Sequence, residues 1–222
     1  MENNPSVLKK CHLFADIAEN DLDALLGCLS AARRGYEKNA FIFQAEDKVF
    51  SVGVVLSGSV HVIQDDYWGN RSIFANIGQA GLFGEAFSCA EIEKLPVSVI
   101  AAEPAEILFI GYRKIITTCS NTCAFHTKLI KNMMRILARQ NILLIQKMEF
   151  LSRRTTREKL LSYLSEQALQ SKSSSFSIPF NRQELADYLC VDRSALSREM
   201  GIMQNEGLLR FNKNYFELLS VE

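Results

Sequence analysis

The chain has 222 residues, 48% of them hydrophobic and 23% charged, enough apolar material for a core and too much for a disordered chain. Formal charge cancels to zero but is unevenly spread: residues 1–117 hold 10 Lys+Arg against 15 Asp+Glu, residues 118–152 hold 5 against 1, and residues 153–222 hold 10 against 9. The longest aliphatic run, Ile142 to Ile145, is far short of the roughly 18 apolar residues of a spanning helix, which excludes a transmembrane helix.

The start Met1-Glu2-Asn3-Asn4-Pro5 lacks the basic and apolar regions of a secretory signal, so the expected location is the cytoplasm and the six cysteines are expected as reduced thiols. Leu22, Leu25, Leu26 and Leu29 recur at helical spacing, which predicts a helix over Leu13 to Arg33. From Phe41 to Ile110 the pattern changes to short β-branched and aromatic runs: Val52 to Leu56, Ser59 to Ile63, Ile73 to Ile77, Val97 to Ile100 and Ile107 to Ile110. Gly58, Gly78 and the pair Gly69-Asn70 supply turns, and the expected fold is an antiparallel sandwich or barrel.

Residues 121 to 151 contain neither proline nor glycine and read as one long helix. Thr127, Ile130, Met134, Leu137, Asn141, Leu144, Met148 and Leu151 follow alternating three- and four-residue steps, the a/d seam of a coiled coil. The expectation is a helical homodimer held by Ile130, Met134, Leu137, Leu144 and Met148, with Asn141 fixing register. A second stripe, Leu129, Met133, Ile136, Leu143 and Phe150, is expected to pack on the helix's own domain.

After a helix from Arg157 to Ala168 and the serine-rich loop Ser171 to Ser175, Asn181-Arg182-Gln183-Glu184 has the form of a capping box, with Phe180 and Leu185 as its hydrophobic staple. That helix ends after Leu189. A second begins at Asp192 as N-cap, with Val191 and Leu196 as staple. Along it Leu196, Met200 and Met203 share one face, while Ser194, Ser197, Arg198, Gly201 and Asn205 project from the other. A small, polar face carrying a long arginine suits the major groove of double-stranded DNA, where Arg bridges guanine O6 and N7. Leu208 to Phe211 and Tyr215 to Leu218 flank Asn212-Lys213-Asn214 as a hairpin with a cationic tip, which completes a winged helix-turn-helix.

The chain resembles the CRP/FNR family of bacterial transcription regulators through Val55-Leu56-Ser57-Gly58-Ser59-Val60, Gly81-Leu82-Phe83-Gly84-Glu85, the long helix, Arg182 to Leu189, and Asp192-Arg193-Ser194-Ala195-Leu196-Ser197-Arg198-Glu199. The resemblance implies an α+β chain with three parts: an effector-sensing antiparallel β-roll of the jelly-roll type over residues 1–117, a dimerisation helix over 118–152, and a winged helix-turn-helix over 153–222. It implies a homodimer that reads a palindromic operator and meets RNA polymerase. The DNA contacts expected are Arg182, Gln183, Arg193, Ser194, Ser197, Arg198 and Lys213, and the effector pocket would involve Phe83, Gly84, Glu85, Ala86, Val97 and Ser98.

Cyclic-nucleotide members of the family place an arginine shortly after the Gly-Glu pair, and here that region reads Lys94-Leu95-Pro96-Val97. Without the guanidinium a cyclic phosphate loses a bidentate contact, so cAMP is not the expected effector, and the identity of the small molecule stays open. Cys11 and Cys28 are too few for an N-terminal iron–sulfur cluster. Cys119, Cys123 and His126 are close enough to respond to oxidants or bind metal, with small buried side chains as the plainer reading of them, while His12 and His61 are haem candidates only as isolated histidines at unrelated spacings, and no cofactor is specified. Two further readings remain: an effector-independent DNA-binding module, and a cupin-like metal enzyme, for which only His61 lies in the strand region.

Overall fold

The computed structural model describes residues 5–117 and 124–219. Its opening segment is helical in pieces, α1 (Pro5–Lys10), one 3-10 turn (His12–Phe14) and α2 (Glu19–Cys28), where the leucine spacing predicts a single helix to Arg33. Asp16 and Ser30 adopt positive φ (64° and 50°) and end the helical geometry on either side of α2. The chain then runs as a strand, β1 (Ala32–Tyr36), through Arg33 and Arg34.

The strand region follows the sequence closely: β2 (Phe41–Phe43), β3 (Ser51–Ser57), β4 (Val60–Asp65), β5 (Arg71–Ile77) and β6 (Leu82–Phe83), a short helix α3 (Glu85–Cys89), then β7 (Ser98–Ala101), β8 (Ala105–Gly111) and α4 (Tyr112–Ile116). They form two four-stranded sheets, ordered β1-β8-β3-β6 and β2-β7-β4-β5, with antiparallel registers such as Val52↔Ile110 and Val60↔Ala101. The inward residues Val55, Val60, Phe83, Val99 and Ile107 are buried and pack with Phe43 and Phe109, whose rings lie 5.8 Å apart. Gly53 is needed here, since a Cβ at this position would stand 2.2 Å from the Phe83 ring.

The rest is α5 (Ala124–Leu151), α6 (Thr156–Ser171), β9 (Ser175–Ser177), α7 (Arg182–Leu189), α8 (Arg193–Asn205), β10 (Leu209–Asn212) and β11 (Tyr215–Leu218). The chain divides into two compact units, one of Met1–Gln64 with Phe74–Asn141, the other of Asp65–Ile73 with Ile142–Glu222. The division falls inside α5 and within the β4–β5 hairpin, whereas the sequence reading places boundaries at 117 and 152.

In the first unit Leu129, Met133 and Ile136 of α5 join the core of α1, α2 and the outer face of the first sheet. Asn132 donates from Nδ2 to the carbonyls of Leu13 (3.1 Å) and Ala15 (2.8 Å), which fixes the rotation of the helix. In the second unit Phe150 is buried beside Tyr163 and Tyr188. Leu143, expected on the same packed stripe, is instead 55% exposed, because it lies beyond Asn141, where α5 has left the core of the first unit.

The a/d positions behave differently from the packed stripe. Met134, Leu144 and Met148 are 68%, 56% and 68% exposed, Asn141 is exposed, and Ile130, Leu137 and Leu151 are half-buried. Ile142 and Ile145 are open to solvent as well.

Candidate nucleic-acid interface

The second unit builds its candidate interface from two short helices whose ends are set locally. Asn181 Oδ1 accepts from the backbone N–H of Gln183 (2.9 Å) and Glu184 (3.0 Å), and Glu184 Oε2 accepts from the Asn181 N–H at 2.7 Å. The predicted capping box is therefore closed in both directions. Cys190, at φ 52°, ends α7, and Asp192 caps α8 by accepting from the Ala195 N–H at 2.9 Å. Ser194 donates its hydroxyl to Asp192 Oδ1, so in this structure that hydroxyl serves the cap. The cap bonds hold the Asp192 carboxyl below the usual carboxylate range.

Leu196, Met200 and Met203 are fully buried, as are Leu185, Ala186 and Leu189 of α7, the helix packed against α8. This leaves Arg193, Ser194, Ser197, Arg198 and Asn205 exposed on α8, with Ile202 beside them and Gly201 half-buried. A Cβ at Gly201 would meet nothing within 4 Å, so the glycine keeps this part of the helix surface low.

Arg182 and Gln183, expected at the same interface, stand at the start of α7 in different states. Gln183 is exposed and donates to Asp187 Oδ1 at 2.7 Å. Arg182 is half-buried: its guanidinium lies 5.0 Å from the Phe211 ring centroid and donates to Met200 Sδ, so it braces α8 and the wing. Burial, with the charge of Arg193, pulls its pKa below the usual arginine range.

The wing is β10 and β11, paired from Leu209↔Leu218 to Asn212↔Tyr215, and β9 adds a third strand through Phe216↔Phe176. Lys213 sits exposed at the tip with φ 55°. Asn214 Nδ2 donates to the Ile178 carbonyl at 3.0 Å, and the Ile178 N–H donates to the Asn214 carbonyl at 2.9 Å.

The sequence reading passed over Arg157. It bridges α6 to the middle of α8 and to its C-cap, with Nη1 3.4 Å from Glu199 Oε1 and Nη2 paired with Glu206. The Thr155–Glu158 capping box that starts α6 was equally open to reading as Thr-x-x-Glu. Arg157 had no such local signature, because its partners are more than forty residues away.

The six candidate effector residues belong to the first unit. Phe83 is in the sandwich core, Gly84 turns the chain at φ 80°, and Ala86 faces solvent. Glu85 is buried, its Oε1 accepts from Gln140 Nε2 of α5, and its Oε2 has no partner among the described residues. Burial raises the Glu85 pKa above the ordinary carboxyl range. Val97 is buried and Ser98 Oγ accepts from the Ala45 N–H at 2.9 Å. Lys94, where a cyclic phosphate would look for an arginine, is exposed and paired with Glu46 at 2.6 Å.

The remaining candidates are dispersed. His12 contacts Arg139 at 3.0 Å, and His61 and His126 are buried, the Nδ1 of His126 without a partner among the described residues. Burial pushes the Cys11 thiol up to about 11. Cys119 and Cys123 lie outside the described residues. Among the described residues no three His, Cys, Asp or Glu side chains gather as a metal site, and no helix is long and apolar enough to cross a membrane.

Comparison with known proteins gives two family matches, a cyclic nucleotide-binding domain over residues 33–122 and a Crp-like helix-turn-helix domain over residues 158–222. No curated protein matches the chain in sequence. Among solved structures, the c-di-GMP responsive regulator CLP of Xanthomonas campestris is similar at a TM-score of 0.75 and 17% identity, covering 92% of this chain and 100% of that one. A CooA variant from Carboxydothermus hydrogenoformans gives a TM-score of 0.72 at 18% identity, covering 98% of this chain and 92% of that one. FixK2 from Bradyrhizobium japonicum gives 0.66 at 18% identity, with 85% and 92% covered.

Proposed function

The chain belongs to the CRP/FNR family of DNA-binding transcriptional regulators, and from that premise we propose that it works as a homodimer that reads a palindromic operator under the control of an effector other than cAMP. The family is one of regulators rather than enzymes, which leaves the cupin-like reading without support.

The observation that carries the proposal is the division of α8 into a fully buried apolar face and an open face of Arg193, Ser194, Ser197 and Arg198. In this reading Arg198 bridges a guanine edge, Arg193 at the helix start meets a phosphate, Ser194 does so only by turning its hydroxyl away from Asp192, Ser197 reaches a base edge or phosphate, and Lys213 adds a phosphate contact from the wing. Arg182 and Gln183 flank the backbone at the start of α7. Two copies joined along Ile130, Met134, Leu137, Asn141, Leu144 and Met148 would carry their recognition helices to half-sites about 34 Å apart.

The effector proposal is supported by Glu85 and Lys94. Glu85 is engaged by Gln140 on the helix that carries the dimer seam, so a molecule bound beside Glu85 would act on that helix directly. Lys94 is turned to Glu46, which leaves a cyclic phosphate without its cation. The same Glu85–Gln140 contact favours a second reading, a β-roll that serves as scaffold with no effector. Ligand-dependent thermal stabilisation in a screen of small molecules separates the two.

The test of function is selection from random duplex DNA by the purified, reduced protein and by Arg198→Ala. A palindrome with half-sites one turn apart, blurred at one position per half-site in the mutant at a cost of about 1–3 kcal/mol, is the expected result. Equal losses on specific and random DNA would remove Arg198 as a base reader.

A further inference from the structure

Lys147 is a lysine in an unusual place, 9% exposed on α5 in the second unit. Its Nζ donates to the Ile73 carbonyl at 2.8 Å and stands 3.9 Å from the centroid of the Tyr188 ring on α7. Ile73 closes the segment Asp65–Ile73, the part of the β4–β5 hairpin that belongs to this unit. One ammonium thus touches the hairpin strand on one side and, on the other, the helix that precedes the recognition helix.

We propose that Lys147 is a proton-sensitive pin, its buried side chain fastening the Asp65–Ile73 segment to α7 and loosening or tightening that attachment with its own protonation.

The surroundings decide the sign. Tyr188 and Cys190 face Lys147 from α7 and its C-cap, and charge on Cys190 favours the protonated lysine. From α6, Tyr163 meets Tyr188 edge-on with ring centroids 5.6 Å apart, Glu166 acts on both tyrosines, and Lys159 is directed to the carbonyls of Leu189 and Cys190. On the hairpin, Asp65 and Arg71 are paired with each other at 2.8 Å, and Asp187 of α7 feels both. On α5 itself, Glu149 pairs with Arg153 at 3.4 Å.

Burial outweighs these charges and lowers the Lys147 pKa from 10.5 to about 8. A group that binds its proton more weakly when buried favours the buried state as pH rises. The ammonium therefore carries its full desolvation cost below about pH 8, and that cost is shed as pH climbs toward the ordinary lysine value. Linkage over this window makes the attachment roughly tenfold tighter at pH 9 than at pH 7. The tyrosines do not compete, because burial raises Tyr188 to about 12 and Tyr163 further still.

The experiment is millisecond hydrogen exchange of the full-length protein without DNA, read as protection factors for β5 and α7 between pH 7 and pH 9. Wild type should gain roughly tenfold in both segments, and Lys147→Met should be flat, since its apolar side chain fits the site with nothing to titrate. Lys147→Arg, which keeps the charge and does not titrate here, should also be flat and serves if the Met variant folds poorly. Cys190→Ser should keep the wild-type rise. The proposal is overturned by an equal rise in Lys147→Met or Lys147→Arg, or by loss of the rise in Cys190→Ser, which would assign it to the thiol. No DNA enters the measurement, so failure of the operator selection and failure of the pin are distinguishable.

Discussion

Leu144→Ala tests the proposed dimer seam directly. In one copy Leu144 is 56% exposed and its neighbours on the seam, Met134 and Met148, are each 68% exposed. Full burial of such a side chain is worth about 1.5–3 kcal/mol, so covering the exposed part of Leu144 contributes about 1–2 kcal/mol per copy. A symmetric interface buries the residue twice, and truncation should cost the dimer roughly 2–4 kcal/mol, or about 30- to 1,000-fold in Kd. Sedimentation equilibrium on wild type and mutant measures this. The control is Leu129→Ala on the buried stripe, where Leu129 is fully buried in the first unit's own core. That change should lower Tm and leave the dimer Kd nearly unmoved, with a stability cost of about 2–5 kcal/mol. A Leu144→Ala dimer as tight as wild type, or a wild type monomeric at tens of micromolar, would refute the assignment of this face to a second copy.

Lys213→Ala should weaken binding to every duplex alike and reduce the slope of log affinity against log salt by about one, as seen by fluorescence anisotropy titrations at several salt concentrations. A loss confined to one base position would instead make Lys213 a reader. Asn181→Ala removes the acceptor for two backbone N–H groups and half of a reciprocal box, and should cost about 1 kcal/mol in urea unfolding. For Glu85, whose pKa is raised in the folded state, the native protein binds the proton more tightly than the unfolded chain. Its contribution is then present in acid and lost as pH rises from the ordinary carboxyl range through the raised value. Tm should accordingly fall with rising pH in wild type relative to Glu85→Gln, and parallel curves would show that the carboxyl is solvated.

What the sequence made legible is local. The caps of α7 and α8 depend on side chains within three residues of one another, and the structure closes them as spaced. The strand runs were legible because β-branched residues such as those from Val52 to Leu56 are buried as a continuous stretch. By contrast β1, Ala32-Arg33-Arg34-Gly35-Tyr36, has no strand composition; it is an exposed edge held by its register with β8, from Ala32↔Phe109 to Tyr36↔Ala105. Leu143 fits the periodicity of a packed stripe, but periodicity does not say where along a helix the packing partner ends. At the candidate interface the open face of α8 was readable from its 3.6-residue spacing. The half-burial of Arg182 and the fork of Arg157 were not, because Phe211, Glu199 and Glu206 reach them only through the tertiary fold.

Asn214 and Ile178 exchange two hydrogen bonds at the root of the wing, and β9 extends its sheet to three strands. A hairpin tip that hung free would have to be immobilised on meeting a duplex, at an entropic cost of about 1–2 kcal/mol for each backbone residue ordered. Here the turn that carries Lys213 is already tethered to the stretch leading into α7, so its charge arrives in place. On the proposed function, the wing and the capped helix would then approach DNA as one preformed surface, and the duplex would do the fitting around the base contact assigned to Arg198.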